Sequence, residues 1–270
     1  MPVKPAATAT DAGDTIVLIP ARLASVRLPD KPLAEIGGVP MIVQVWRRAR
    51  EAAVGPVVVA CADAAIADAV IAHGGEAVLT EPALPSGTDR VHEALARLDP
   101  GRRFGRIINL QGDLPTLEPA AIRAVLEPIA WLGTHMGTLV VPTEDPADKA
   151  NPNIVKAIPT FDQERPTLGR ALYFTRATAP TGDGPVYHHI GIYAYTRAAL
   201  ERFANLPPSP LERRERLEQL RALEVGMTIG VAVVDTVPLG VDTPAELEQA
   251  RAWFEAGGPP RDNGLPSKND

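Results

Sequence analysis

The chain has a single cysteine in 270 residues, Cys61, so no intrachain disulfide can form; inside a β-branched run it reads as a small buried hydrophobe. Excess positive charge is also missing: 27 Lys and Arg stand against 33 Asp and Glu, a net charge of −6 with the cations spread along the chain. Broad attraction to nucleic acid or to an anionic membrane is therefore not expected, and any anionic ligand has to be met by a local cluster. No apolar run is long enough to span a bilayer. The first fourteen residues carry Asp11 and Asp14 and lack the apolar core of roughly seven residues that a secretion signal needs. Together these absences predict a cytoplasmic protein with no membrane insertion and no nucleic-acid partner.

Common ligand signatures are missing as well. The Gly37-Gly38 pair has no companions at the spacing of a P-loop or a dinucleotide fingerprint, which argues against a Walker-type NTPase and an NAD dehydrogenase. The five histidines show no zinc spacing. His188 and His189 are adjacent in a strand-like run, so they point to opposite faces and cannot jointly ligate one ion. No internal repeat is evident.

What is present is a core-forming composition, 45% hydrophobic and 22% charged, enough for one large α/β domain or two small ones. Short β-branched runs at 15–20, 57–61, 76–80 and 106–110 alternate with amphipathic patterns at 40–53, 63–73, 88–98 and 118–131. That rhythm predicts a doubly wound, mostly parallel sheet. After Gly133 it changes. Strand-like runs at 137–142, 154–158, 170–174 and 190–195 follow with little helix between them, which predicts an antiparallel extension, with room for a dimerisation subdomain within about 134–195. Two capped helices close the chain: Ser209 with Glu212 ahead of residues 210–223, and Thr243 with Glu246 and Pro244 ahead of 244–254. Residues 1–14 and 257–270 read as tails, leaving a folded unit over 15–256.

The loop after the first strand, PARLASVRLPDKPL, places Arg22, Arg27 and Lys31 where a parallel sheet lines its ligand crevice. Arg forks match phosphate oxygens, so a polyphosphate is the natural ligand, though a solvated basic loop has the same spacing. The fourth strand runs into NLQGDLP, putting Gln111, Gly112 and Asp113 beyond its carboxyl end. A carboxylate there can hold Mg²⁺ against substrate phosphates; it can equally serve as a turn residue before Pro115. Asp242 follows a strand-like run and precedes the Thr243 cap, where a helix N-terminus also favours an anion. Only the pair of aspartates makes a metal site attractive.

Taken in order, IPARLASVRLPDKPL, PSGTDR, NLQGDLP, NPNIVKAI, LYFTRATAP, HHIGIYAY, SPLERRERLEQLRAL and GVDTPAELEQAR resemble the 3-deoxy-manno-octulosonate (Kdo) cytidylyltransferase family over essentially residues 15–253. The resemblance implies a Rossmann-like α/β fold of the nucleotidyltransferase type. It also implies a cytosolic homodimer that joins CTP to Kdo with Mg²⁺ and releases pyrophosphate, feeding lipopolysaccharide synthesis. Position by position, it implies that Arg22, Arg27 and Lys31 meet the CTP phosphates, with Arg22, Lys31, Asp113 and Asp242 forming the catalytic set. Ser86, Gly87 and Gln111 then surround the nucleotide, and Asp113 and Asp242 hold magnesium. Arg176, His189, Tyr193, Glu218 and Gln219 take the sugar's carboxylate and hydroxyls. Leu114, His188 and Asp89 stand where the family usually has Glu, Arg and Glu, which leaves 8-amino-Kdo or a sialate-like acid open as the acceptor. A non-catalytic nucleotide-binding protein of the same fold is the reading from another class.

Overall fold

The computed structural model of the chain describes residues 14–25 and 27–257. The expected tails lie outside the described residues except at Asp14 and Gly257. Asp14 is engaged with the fold, accepting the Gly105 N–H and pairing with Arg106 at 3.6 Å.

The first half follows the alternating pattern closely. Strand β1 (Thr15–Ala21) leads through a small hairpin, β2 (Glu35–Ile36) and β3 (Val39–Pro40), into α1 (Met41–Glu51). Then come β4 (Val57–Cys61), α2 (Ala64–Ala72), β5 (Glu76–Leu79), α3 (Gly87–Leu98) and β6 (Arg106–Asn109). The single helix expected over 118–131 is instead two, α4 (Pro119–Ala124) and α5 (Glu127–Leu132). Pro128 explains the interruption: it has no N–H for the carbonyl of Ala124, and its ring would press on that carbonyl in a continuous helix.

The second half contains β7 (Met136–Thr143), α6 (Pro146–Ala150), β8 (Lys156–Phe161), β9 (Leu168–Thr175), β10 (Val186–Thr196) and α7 (Arg197–Ala204). It closes with α8 (Pro210–Glu215), α9 (Leu220–Glu224), β11 (Ile229–Val233) and α10 (Pro244–Glu255). Both capping boxes form, at Ser209 with Glu212 and at Thr243 with Glu246. The helix expected to run unbroken over 210–223 stops at Arg216, whose φ of 57° is left-handed. No glycine or proline marks that break; side-chain contacts to other elements hold it. The strand ahead of Asp242 also ends earlier than its sequence position suggests, at Val233.

Nine strands form one sheet in the order β5-β4-β1-β6-β10-β7-β11-β9-β8. The pairs β5–β4, β4–β1 and β1–β6 are parallel, as is β7–β11, whereas β10 runs antiparallel to both β6 and β7. The antiparallel extension is therefore built around β10. Its first residues pair with β8 and its last with β6, and the changeover coincides with an irregularity between Ile190 and Tyr193. Successive strand residues feed two cores on opposite faces: Val17, Ile19 and Ile108 pack with α1, while Ile16, Leu18 and Ile107 pack with α3 and α7. Cys61 is fully buried among the former, and burial pushes its thiol up to about 11, as expected of an inert hydrophobe. No helix of the described residues is long and apolar enough to cross a membrane.

Candidate active site

The carboxyl ends of β1 and β6 open into a cleft of ≈ 350 Å³ between the loop after β1, the start of α3 and the loop after β6. Arg22, Lys31, Ser86, Gly87, Gln111 and Asp113 all line it, so these six expected residues are brought together. Gly112 packs closely there: a Cβ would lie 3.1 Å from both the carbonyl oxygen of Pro20 and Ile42 Cδ1, a tight contact that the neighbours would have to relieve. Ser86 caps α3 by accepting the Asp89 N–H at 3.1 Å.

At the cleft's edge Lys31 Nζ donates to Asp113 Oδ2 and to Asp242 Oδ1, each at 2.8 Å, and Arg27 Nη2 pairs with Asp242 Oδ2 at 2.8 Å. The loop carrying Asp242 is also tied directly to its partner, the Val241 N–H donating to the Asp113 carbonyl at 3.0 Å. Burial opposes the charge on Lys31, but Asp113 and Asp242 outweigh it and raise the pKa above the ordinary value. Burial likewise works against ionised Asp242, while Lys31 and Arg27 hold it low. Two carboxylates converge on one cation, a donor set that suits Mg²⁺, which takes oxygen ligands and usually only one or two carboxylates. No cluster of three or more His, Cys, Asp or Glu occurs among the described residues, so water and substrate oxygens would complete the shell.

A chain of hydrogen bonds leads from this cleft to Glu218, one of the residues expected to contact the sugar. Gln111 Nε2 donates to Asn109 Oδ1 at 3.1 Å, Asn109 Nδ2 to Thr88 Oγ1 at 3.4 Å, and Thr88 Oγ1 to Glu218 Oε2 at 2.8 Å. Burial raises the pKa of Glu218 in spite of the Thr88 hydroxyl and nearby Arg221. Glu218 and Gln219 lie in the turn between α8 and α9, made possible by the break at Arg216. Gln219 is 6% exposed and its Nε2 has no partner among the described residues.

His189 and Tyr193 flank the β10 irregularity, their rings 5.4 Å apart. Thr138 Oγ1 fills that irregularity, lying 2.8 Å from the Ile192 carbonyl and 3.2 Å from that of Ile190. Its one proton goes to a carbonyl, so the 3.0 Å contact with His189 Nε2 is donated by the histidine. Burial, with His188 beside it, pushes His189 down to about 3, so the ring is neutral and Nδ1 is an acceptor. Burial raises Tyr193 well above the ordinary phenol value. Arg176 stands apart from this group. Phe174, two residues before it on β9, meets the His189 ring edge-on at 5.0 Å, but no hydrogen bond joins Arg176 to His189, Tyr193 or Glu218 among the described residues.

Sequence reasoning missed Arg90, Ser25 and the Asn109–Thr88 relay. Arg90 lines the cleft and is anchored by the Thr80 hydroxyl and the carbonyls of Glu81 and Pro82. Burial and then Arg22 lower its pKa, with Glu93 and Asp63 acting in the opposite direction. The available signal was its place in the first turn of a Ser-capped helix following a strand.

A family model described as cytidylyltransferase matches residues 16–229. A 3-deoxy-manno-octulosonate cytidylyltransferase of Rhodospirillum centenum is 62% identical over 240 residues, covering 89% of this chain and 93% of the relative. One from Parvibaculum lavamentivorans is 63% identical over 241 residues, with the same coverage. Among solved structures, a CMP:2-keto-3-deoxy-manno-octonic acid synthetase complexed with CTP superposes with a TM-score of 0.82 at 36% identity, over 90% of this chain and 99% of that one. A 4-diphosphocytidyl-2C-methyl-D-erythritol synthase from Anaerococcus prevotii, at 11% identity and a TM-score of 0.60, shares the fold.

Proposed function

The chain belongs to the cytidylyltransferase family, and from that premise we propose that it transfers CMP from CTP to the anomeric hydroxyl of 3-deoxy-manno-octulosonate, releasing pyrophosphate. The observation that carries the reading is the convergence of Asp113, Asp242 and Lys31 at the edge of a cleft lined by Arg22, Arg90 and Gln111. The sugar hydroxyl attacks the α-phosphorus in line, the bond to the β-phosphate's bridging oxygen breaks, and pyrophosphate leaves while the hydroxyl proton is released to solvent. Arg22, Arg27 and Lys31 take the triphosphate oxygens, with Ser86, Gly87 and Gln111 around the nucleotide. Asp113 and Asp242 would hold Mg²⁺, which when bound neutralises charge at the reacting phosphate. Moving Lys31 from the aspartates to a phosphate keeps it paired throughout.

On the acceptor side Arg176 meets the carboxylate, while His189, Tyr193, Glu218 and Gln219 meet hydroxyls. Neutral His189 and high-pKa Tyr193 serve as hydrogen-bonding groups; neither is a base at neutral pH. The remaining parts of the reading rest on the family resemblance: a cytoplasmic homodimer, in contact through the segment at about 134–195, serving lipopolysaccharide synthesis. Light scattering tests the dimer.

The chemical test is pyrophosphate release from CTP, Mg²⁺ and Kdo, repeated with Arg176→Lys. Lysine keeps the charge but loses the planar fork, so kcat/KM for the acceptor should fall roughly ten- to a hundredfold, the equivalent of about 1.5–3 kcal/mol, while CTP binding without acceptor hardly changes. Impaired CTP binding with the acceptor spared would misplace the sugar pocket.

A further inference from the structure

We infer that Glu215, a residue outside the expected substrate contacts, is the positioning residue that aims the Arg176 guanidinium at the acceptor carboxylate; the inference rests on the function proposed above. Glu215 ends α8 immediately before the left-handed Arg216, and that break turns both its carboxylate and its carbonyl toward the end of β9. Oε2 accepts the Arg176 N–H at 3.2 Å, and Oε1 accepts the Thr175 hydroxyl at 2.9 Å and lies 3.5 Å from the Tyr173 hydroxyl. The main-chain carbonyl of Glu215 accepts Arg176 Nε at 3.2 Å. One residue therefore fixes Arg176 at both its backbone and its guanidinium.

A second anchor completes the clamp. Arg176 Nη1 donates to the Pro152 carbonyl at 3.2 Å. The segment carrying that carbonyl is held by Lys156, which is fully buried and whose Nζ donates to the carbonyls of Asn151, at 2.6 Å, and Arg176, at 3.3 Å. With Nε and Nη1 committed to carbonyls, the plane of the guanidinium is set and Nη2 is left without a partner among the described residues. A fixed plane with an open edge is what a carboxylate needs for directional pairing, whereas a freely rotating arginine loses that advantage on binding. Backbone carbonyls also hold the fork without neutralising its charge, as a carboxylate partner on the same edge would.

The experiment compares Glu215→Gln, Arg176→Ala and the double variant, using Kdo and its neutral C1 carboxamide as acceptors with CTP varied separately. Glutamine keeps the size of the side chain, but its amide can present a donor to the Arg176 N–H where Oε2 accepts. The expected result is an acceptor KM raised about tenfold, with kcat and the CTP KM within about twofold, and a preference for acid over amide reduced toward that of Arg176→Ala. The double variant should be no worse than Arg176→Ala alone. A merely structural defect would lower both acceptors alike and leave their ratio intact, which would overturn the inference. An unchanged acceptor KM in Glu215→Gln, with Arg176→Ala impaired, overturns the positioning role and spares the proposed function. An unchanged preference in Arg176→Ala overturns both. Where Glu215→Gln does not melt cooperatively, Glu215→Asp, which retains charge but shortens the reach, carries the same comparison and should fall between the parent and Arg176→Ala.

Discussion

Asp113 and Asp242 come from opposite halves of the chain, yet a single ammonium group bonds to both. Without a cation between them the two carboxylates would repel, so Lys31 keeps the site assembled before substrate arrives. Asp113→Ala should leave the melting temperature nearly unchanged, because Lys31 retains Asp242 as a partner, while turnover falls at least about a thousandfold. Pyrophosphate release and a thermal melt on the same preparation check this, and activity within about tenfold of the parent would remove Asp113 from the chemistry. His189 gives a prediction of another kind. Its pKa of about 3 leaves the ring neutral throughout the working range, so His189→Phe should raise the acceptor KM about two- to tenfold without altering the shape of the kcat profile between roughly pH 5.5 and 8.5. Disappearance of a limb of that profile would make His189 a proton carrier.

Between elements, the joint of α3, β6 and α7 depends on Asp99. This buried carboxylate accepts the N–H groups of Arg103 and Phe104 and pairs with Arg197, the first residue of α7. Asp99→Ala removes the nearest anion from buried Arg197, which keeps Glu201 at 3.7 Å and the Phe104 carbonyl, and should cost about 3 kcal/mol, measured by urea unfolding. Burial alone would raise the pKa of Asp99, but these hydrogen bonds and Arg197 hold it below the unfolded value. Its contribution is therefore complete above the unfolded value of about 3.9 and is lost as the pH falls through the folded one, so parent and variant should converge in stability on acidification below that value. The same level shows what was readable in advance. Both capping boxes were legible because the cap and its partner lie three residues apart, and the continuous β-branched runs marked β1 and β4 almost to the residue. The break at Arg216 was not, because it is held by Thr88 and Thr175, residues far away in sequence. Arg90 went unweighted for a similar reason: its importance lies in facing Arg22 across the cleft.

For the molecule as a whole, the parallel half was readable and the placing of β10 between β6 and β7 was not, since strand order depends on pairings that no local pattern encodes. The cleft is lined by three stretches of the chain far apart in sequence, at 20–32, 84–90 and 111–113, so ligand binding should stabilise the fold as a unit. CTP with Mg²⁺ at a hundredfold above Kd should add about 2.7 kcal/mol, seen as a raised Tm, and Lys31→Ala should lose most of that increment. An equal increment in Lys31→Ala would place the triphosphate elsewhere. The bond from the Val241 N–H to the Asp113 carbonyl has a consequence during synthesis. At roughly 5–20 residues per second, the ribosome needs on the order of ten seconds to travel from Asp113 to Asp242. Throughout that interval the nascent chain displays its cationic loop and its first aspartate but has no second one to oppose it. Under the roles proposed for the two aspartates, turnover would begin only after the loop carrying Asp242 has emerged and docked onto the older half, so a product terminated ahead of that loop should release no pyrophosphate from CTP.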